Sequence, residues 1–279
     1  MPKSVKIIAL DLDGTLLNSE KELTNVNLKA LERAAAAGIE IVPTTGRFYG
    51  GMPESIRNLP FVRYVITING AEVCDLSTGE IIHKAQMPWQ QTVAMMEFLD
   101  NYPVIYDCYQ TNDAFMTAEF KEHINDHIES VHYRKMVREL RKGVPELKAF
   151  LTDRKLGVQK AQFFTRDNEL RFRLMAEMPK IFENIYVSSS LPDNAEINHV
   201  RANKGEALLA LADHLGVKRK ETLAFGDGLN DLTMIKEAGI GAAMANSCAE
   251  ILELADVTVP SCDENGVAYG INKFCFGEA

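Results

Sequence analysis

At 279 residues, 46% of them hydrophobic, the chain is long enough for one large domain or two moderate ones with sizeable cores. Its formal net charge of -9 repels the phosphate backbone of nucleic acid and the anionic face of a membrane, so neither is an expected partner. The five cysteines (Cys74, Cys108, Cys248, Cys262, Cys275) have no close pairs, which fits reduced, buried thiols better than a disulfide frame or zinc site.

Residues 1–6 pass straight into a short apolar strand, without the long apolar core of a signal peptide, and no run approaches the roughly 18 to 20 apolar residues that span a bilayer. A cytoplasmic protein is expected. Residues 5–10 read as a strand buried on both faces of a parallel sheet. From Thr24, a plausible N-cap, Leu28, Leu31 and Ala35 recur at helical spacing up to Gly38, and residues 39–42 resume strand character. Residues 65–68 form a third strand, and Val73 and Ile81-Ile82 flank a turn around Thr78-Gly79.

The rhythm then loses its regularity. Residues 84–195 mix strand-like runs (104–109, 161–165, 185–189) with polar helices, as an α+β domain inserted into the first. After Lys204 an α/β pattern returns: a helix carrying Leu208, Leu211, Ala212 and Leu215, a strand at 222–225, a helix over 231–238 and a strand near 241–244. A helix opened by Ser247, with Glu250 at capping-box spacing, and a last strand at 257–259 complete it.

In an open parallel sheet the ligand site lies at the carboxyl ends of the strands. Four such places carry chemistry: Asp11 after the first strand, Thr44-Thr45-Gly46-Arg47 after the second, Lys204 at a helix start, and Gly226-Asp227-Gly228-Leu229-Asn230-Asp231 after the strand through Phe225. Asp11 and Asp13 lie two apart, so strand alternation points both carboxyls to one side before Gly14 turns the chain. An isolated Asp-Gly is usually just a turn, with Thr15 as a helix cap, but the three further polar strand ends favour a shared pocket.

With the motifs Asp11-Leu12-Asp13-Gly14-Thr15, Thr45-Gly46-Arg47, Asn203-Lys204-Gly205 and residues 226–231 in this order, and a run at 238–246 also similar, the sequence resembles the haloacid dehalogenase-like (HAD) hydrolase superfamily. More narrowly it resembles the Cof-type phosphatases. The resemblance covers nearly the whole chain and implies an α/β fold: a HAD-like Rossmannoid parallel-sheet core from residues 1–83 and 196–279, with an α+β cap at 84–195 that sets substrate specificity. It implies Asp11 as nucleophile, forming an aspartyl-phosphate, and Asp13 as acid and then base. Leu12, Thr45, Gly46, Arg47, Lys204 and Asn230 would bind the substrate. Mg²⁺ would be held by Asp11, the Asp13 carbonyl, Asp227 and Asp231, the last as ligand or as a neighbour that orients one. Pro43 replaces a more usual apolar strand residue before the threonine pair, and Thr45 is preferred to Thr44 because it directly precedes Gly46-Arg47.

The expected reaction is Mg²⁺-dependent hydrolysis of a small phosphate ester, a sugar phosphate first. A phosphomutase-type phosphotransferase or a phosphate-binding regulatory module without turnover are the alternatives. Other features have plainer readings. The basic residues Arg134, Lys135, Arg138, Arg141 and Lys142 fit a solvated amphipathic helix whose other face carries Tyr133, Val137, Leu140 and Val144. His123, His127 and His132 are too irregular for a metal site, Trp89 and Met95-Met96 fit helix packing, and Asn69-Gly70 reads as a turn.

Overall fold

A computed structural model describes residues 5–278; residues 1–4, on which part of the leader reading falls, residue 279 and the side chain of His132 lie outside the described residues. The chain forms two compact units, one from Met1–Arg47, Met52–Lys84 and Arg201–Ala279, the other from Phe48–Gly51 and Ala85–Val200. No helix among the described residues is long and apolar enough to cross a membrane.

The first unit begins with β1 (Ile7–Leu10) and β2 (Glu40–Pro43), followed by β3 (Tyr64–Thr67), β4 (Glu72–Asp75) and β5 (Ile81–Lys84). In the second unit lie β6 (Ile105–Gln110), β7 (Asp113–Thr117), β8 (Arg141–Val144), β9 (Lys160–Phe164), β10 (Ile185–Ser188) and β11 (Asn194–His199). The first unit resumes with β12 (Thr222–Gly226), β13 (Ile240–Met244) and β14 (Val257–Val259). A parallel sheet of order β14-β13-β12-β1-β2 organises this unit. All four β1 side chains are fully buried, as expected of a central strand covered on both faces.

One face of the sheet is closed by helices Lys204–His214 and Leu232–Glu237, whose Leu208, Leu211, Met234 and Ile235 pack against Ile7, Ala9 and Ala224. The opposite face meets helix Gly266–Ile271, where Gly270 lies so close to the Phe225 ring that a Cβ would approach it to 2.4 Å. Each such buried Ile, Leu or Phe is worth about 1.5–3 kcal/mol. Thr24 caps helix Asn25–Ala36 by accepting from the Asn27 N–H at 3.2 Å. Pro43 is tolerated because β2 is the sheet's edge, where the unit continues only through a single parallel bridge, Thr44 to Ile66, into the antiparallel set β3-β4-β5.

The second unit is a six-stranded mixed sheet of order β10-β11-β9-β6-β7-β8, antiparallel apart from β7–β8. Strand β11 spans position 195, so the inserted segment runs on beyond the end read from the sequence. Tyr106, Cys108, Phe163, Ala195 and Ile197 pack one face against Met95, Met96, Leu151, Leu174 and Met178 of its helices. Strand alternation sends Asp107, Tyr109, Lys160, Gln162 and Glu196 to the other face, all buried. They pair there: Lys160 Nζ donates to Glu196 Oε1 at 3.0 Å, and Gln162 Nε2 to Asp107 Oδ2 at 2.9 Å.

This row corrects the reading of the basic cluster. Helix Val131–Leu140 stops before Arg141, which begins β8, is 4% exposed, and donates from Nε to Asp107 Oδ2 at 2.7 Å and from Nη2 to the Tyr109 hydroxyl at 2.9 Å. Local periodicity extended the helix because the partner that draws Arg141 inward lies 34 residues upstream. Ser247 likewise does not cap the next helix: its hydroxyl donates to the Gly226 carbonyl, and helix Ala249–Leu254 starts after Cys248. Only Cys108 and Cys262 are buried; Cys74, Cys248 and Cys275 are half-buried, and all five are free.

Since removing one partner of a buried ion pair strands the other's charge, Arg141→Leu should destabilise the second unit by about 3–5 kcal/mol in denaturant unfolding. Asp107→Leu combined with Arg141→Leu should lose less. Equal stability of Arg141→Leu and the parent would refute a buried pair.

Candidate active site

Register brings the predicted strand ends together. Leu10 pairs with Phe225 and with Pro43, so the chain leaves β12, β1 and β2 side by side. The Asp11 N–H donates to the Phe225 carbonyl at 3.0 Å, and the Thr44 N–H to the Leu10 carbonyl at 2.7 Å. Strand order reverses at β1, because the chain first adds β2 on one side and later β12 on the other. The crevice of such a sheet opens at that point.

Gly14 turns the chain at φ 87°, where a Cβ would come within 2.5 Å of Asp227 Oδ2. The next residue fastens the two loops: Thr15 Oγ1 donates to Asp227 Oδ1 at 2.7 Å. Asn203 caps helix Lys204–His214 by accepting from the Glu206 N–H at 2.8 Å. Gly70, at φ 92°, lets the backbone of Asn203 press in so closely that a Cβ there would sit 2.3 Å from the Asn203 carbonyl oxygen. The Asn69-Gly70 turn therefore seats this helix.

Lys204, fully buried, points its ammonium between two carboxylates, 2.5 Å from Asp11 Oδ1 and 2.5 Å from Asp231 Oδ1. Asp231 Oδ2 accepts from the backbone N–H groups of Asp227 and Gly228, each at 3.0 Å. Burial, then the charges of Asp231 and Asp227, push the Asp11 carboxyl well above the usual range, against the pull of Lys204. Burial also pushes Asp227 up to about 6, with the Thr15 hydrogen bond opposing it and the Asp231 charge adding to it. Burial pulls the Lys204 amine down, but Asp11 and Asp231 outweigh it and hold the amine above its ordinary value.

Oxygens of Asp11, Asp227 and Asp231 lie within 4.8 Å of one another. Three carboxylates sharing one ammonium favour a further cation, and an all-carboxylate donor set suits a hard divalent ion such as Mg²⁺. Asp231 is already engaged by Lys204 and two backbone donors, which suits it to orient the site as much as to ligate. The Asp13 carboxylate turns elsewhere, to Arg47 Nε at 2.9 Å and Nη2 at 2.8 Å and to Lys21 Nζ at 3.2 Å.

Among the remaining predicted residues, Leu12 is buried and its carbonyl accepts from the Leu17 N–H at 2.9 Å. The two threonines differ: Thr44 Oγ1 turns back to the Val42 carbonyl at 3.0 Å, whereas Thr45 Oγ1 accepts from the Arg47 N–H at 3.1 Å. Gly46 passes beside Asn69 Oδ1, to which the exposed Asn230 donates from Nδ2 at 3.4 Å. Thr15 was read from the sequence only as a cap and Lys21 not at all. Asn246, within a run singled out without a role, donates to the Gly14 carbonyl at 2.8 Å and accepts from the Cys262 N–H at 2.9 Å.

Comparison with known proteins gives the same reading of the architecture. A family model described as haloacid dehalogenase-like hydrolase matches residues 8–271. The phosphatase YcsE of Bacillus subtilis (strain 168), named as acting on 5-amino-6-(5-phospho-D-ribitylamino)uracil, is 30% identical over 97% of this chain and 96% of its own. Phosphatase YwpJ of the same organism is also 30% identical, over 95% of this chain and 98% of its own. A crystal structure of a haloacid dehalogenase-like hydrolase from Bacteroides thetaiotaomicron superposes with a TM-score of 0.82 at 28% identity, over 96% of this chain and 99% of that one.

Carboxyls pushed up by burial bind protons more tightly folded than unfolded, so their contribution to stability fades as pH rises through about 6, the value for Asp227. A cation must displace those protons. Magnesium should therefore raise Tm more at about pH 7.5 than at about pH 5. Equal shifts at both pH values, measured by scanning calorimetry, would exclude these carboxylates as its ligands.

Proposed function

We infer the reaction from one premise: this chain belongs to the haloacid dehalogenase-like hydrolase family. It is a phosphatase of that family with an inserted cap domain, and its aspartate cluster suits a magnesium-dependent phosphohydrolase. Within the family we assign it to the Cof-type group, with the unit of residues 1–47, 52–84 and 201–279 as the catalytic core and the inserted segment as the part that selects substrate.

In the proposed reaction the Asp11 carboxylate attacks phosphorus as the bond from phosphorus to the leaving oxygen breaks, giving an aspartyl-phosphate and an alcohol. Asp13 delivers a proton to the leaving oxygen, then takes one from the water that releases phosphate and restores Asp11. The observation that carries this reading is the buried ammonium of Lys204 on Asp11 Oδ1. It opposes the rise in the Asp11 pKa and so favours the ionised form that can attack. It also offers positive charge to phosphoryl oxygens. The Thr45 hydroxyl, which accepts from the Arg47 N–H, keeps its own proton to donate. Backbone N–H groups at Leu12 and Gly46, and the side chains of Arg47 and Asn230, complete the proposed substrate contacts. Mg²⁺, held by Asp11, the Asp13 carbonyl and Asp227, with Asp231 orienting or ligating, would offset the repulsion between carboxylate and phosphate.

A phosphorylated sugar or polyol is the proposed substrate. Two relatives of this length, YcsE and YwtE of Bacillus subtilis, are named as phosphatases of a ribityl phosphate. The second unit's buried row of Asp107, Tyr109, Arg141, Lys160 and Glu196 also alternates donors with acceptors, as hydroxyl groups require. Inside this unit Asp107 Oδ1 has no hydrogen-bond partner.

Phosphate release from a panel of sugar and polyol phosphates, with and without Mg²⁺, is the direct test. Asp11→Asn should abolish turnover and the acid-stable, base-labile phosphoryl adduct trapped by quenching, and Lys204→Met should lower kcat by about 100-fold or more. Wild-type turnover in Asp11→Asn would end the covalent reading.

A further inference from the structure

Two cations hold Asp13, and only one of them belongs to a motif. The Arg47 fork takes both carboxylate oxygens, Nε on Oδ2 and Nη2 on Oδ1, and Lys21 places its ammonium on Oδ1 as well. Lys21 comes from a loop folded around Asn18, whose Oδ1 accepts from the N–H groups of Glu20 at 3.1 Å and Glu22 at 2.8 Å. The Asn18 carbonyl accepts from the Lys21 N–H at 2.9 Å, and the Asn18 N–H donates to Glu22 O at 3.1 Å. This closed loop sets Lys21 at φ 66°, in the left-handed region that favours glycine.

A lysine is a poor choice for that backbone, and its half-exposed side chain adds nothing to a core. What it supplies is an amine aimed at Asp13. An aspartate carboxyl rotates over a broad, two-fold torsional profile, so its orientation comes from its donors. With Arg47 Nη2 and Lys21 both on Oδ1, the carboxylate is fixed and Oδ2 is the oxygen with fewer donors.

We propose that Lys21 is a positioning residue for phosphoryl transfer, which with Arg47 fixes the Asp13 carboxyl so that its proton passes to the leaving oxygen. The claim rests on the assignment of Asp13 as acid and base. Asp13, ionised in its pair with Arg47 and Lys21, first takes a proton from solvent as the ester binds; as the bond from phosphorus to the leaving oxygen breaks, the electron pair stays on that oxygen and takes this proton, returning Asp13 to the carboxylate that the two cations stabilise. The effect is largest where the leaving group needs the proton. An alkoxide does; nitrophenolate leaves as a stable anion.

The test compares kcat/KM, which reports phosphoryl transfer to the enzyme, for an alkyl phosphate such as glycerol phosphate and for p-nitrophenyl phosphate. Lys21→Gly removes the amine while suiting the backbone, so its Tm should be unchanged or higher. It should lower kcat/KM by about 10- to 100-fold on the alkyl ester and by less than about 3-fold on the nitrophenyl ester, with Lys21→Arg restoring most of the loss. Equal losses on both esters, or none on the alkyl ester, would overturn the proposal. Asp13→Asn separates the two claims. If it keeps alkyl-ester turnover, the acid and base assignment falls and the clamp with it; if it loses turnover while Lys21→Gly does not, the clamp alone falls.

Discussion

A buried ammonium must be paired, and Lys204 finds its partners 193 residues upstream at Asp11 and 27 residues downstream at Asp231. Satisfying that one charge requires the end of β1, the start of helix Lys204–His214 and the loop after β12 to meet at a single point. The details of the first unit serve this meeting: the pairing of Leu10 with Phe225, the Asn203 cap, and the close approach at Gly70. Removing Lys204 would leave Asp11 and Asp231 as buried carboxylates without their shared ammonium, so the sheet's topology and the site's chemistry share a constraint.

The same geometry separates two acids that are neighbours in the chain. Asp11 is buried beside Asp227 and Asp231, and its carboxyl is pushed up. Asp13, two residues on, turns toward Arg47 and Lys21; burial raises it, but the Arg47 hydrogen bonds and charge, with Lys21, hold it below the usual carboxylate value. Carboxyls driven in opposite directions by their surroundings are not equivalent: Asp11 keeps its charge against burial only with Lys204 beside it, while Asp13 rests ionised, the form that accepts a proton.

What the sequence disclosed was whatever is written locally. The apolar run of β1, the Thr24 cap and the polar residues that follow each strand were legible because periodicity and capping act within a few residues. Arg141 escaped because only Asp107, on another strand, explains why a basic residue goes inside. Thr15 escaped for the same reason: its partner Asp227 is 212 positions away. Lys21 had no signal of its own, since an exposed lysine in a polar loop looks like any other until its backbone conformation and its target are seen together. The capping-box spacing at Ser247 was a true pattern one residue out of place, since helix Ala249–Leu254 starts after Cys248 and the Ser247 hydroxyl reaches the Gly226 carbonyl instead.

Both units bury charge, and the difference in balance between them says what each can bind. Around Lys204 three carboxylates face one ammonium, and burial first, then their mutual repulsion, pushes Asp11 and Asp227 up. Such a set gains from a divalent cation. On the polar face of the second unit's sheet the count is even, Arg141 and Lys160 against Asp107 and Glu196, each pair closed by a hydrogen bond. An evenly paired row has little to gain from a metal or from another ion of either sign, because each charge already has its counterpart. Its remaining capacity lies in hydrogen bonding rather than in further ion pairing.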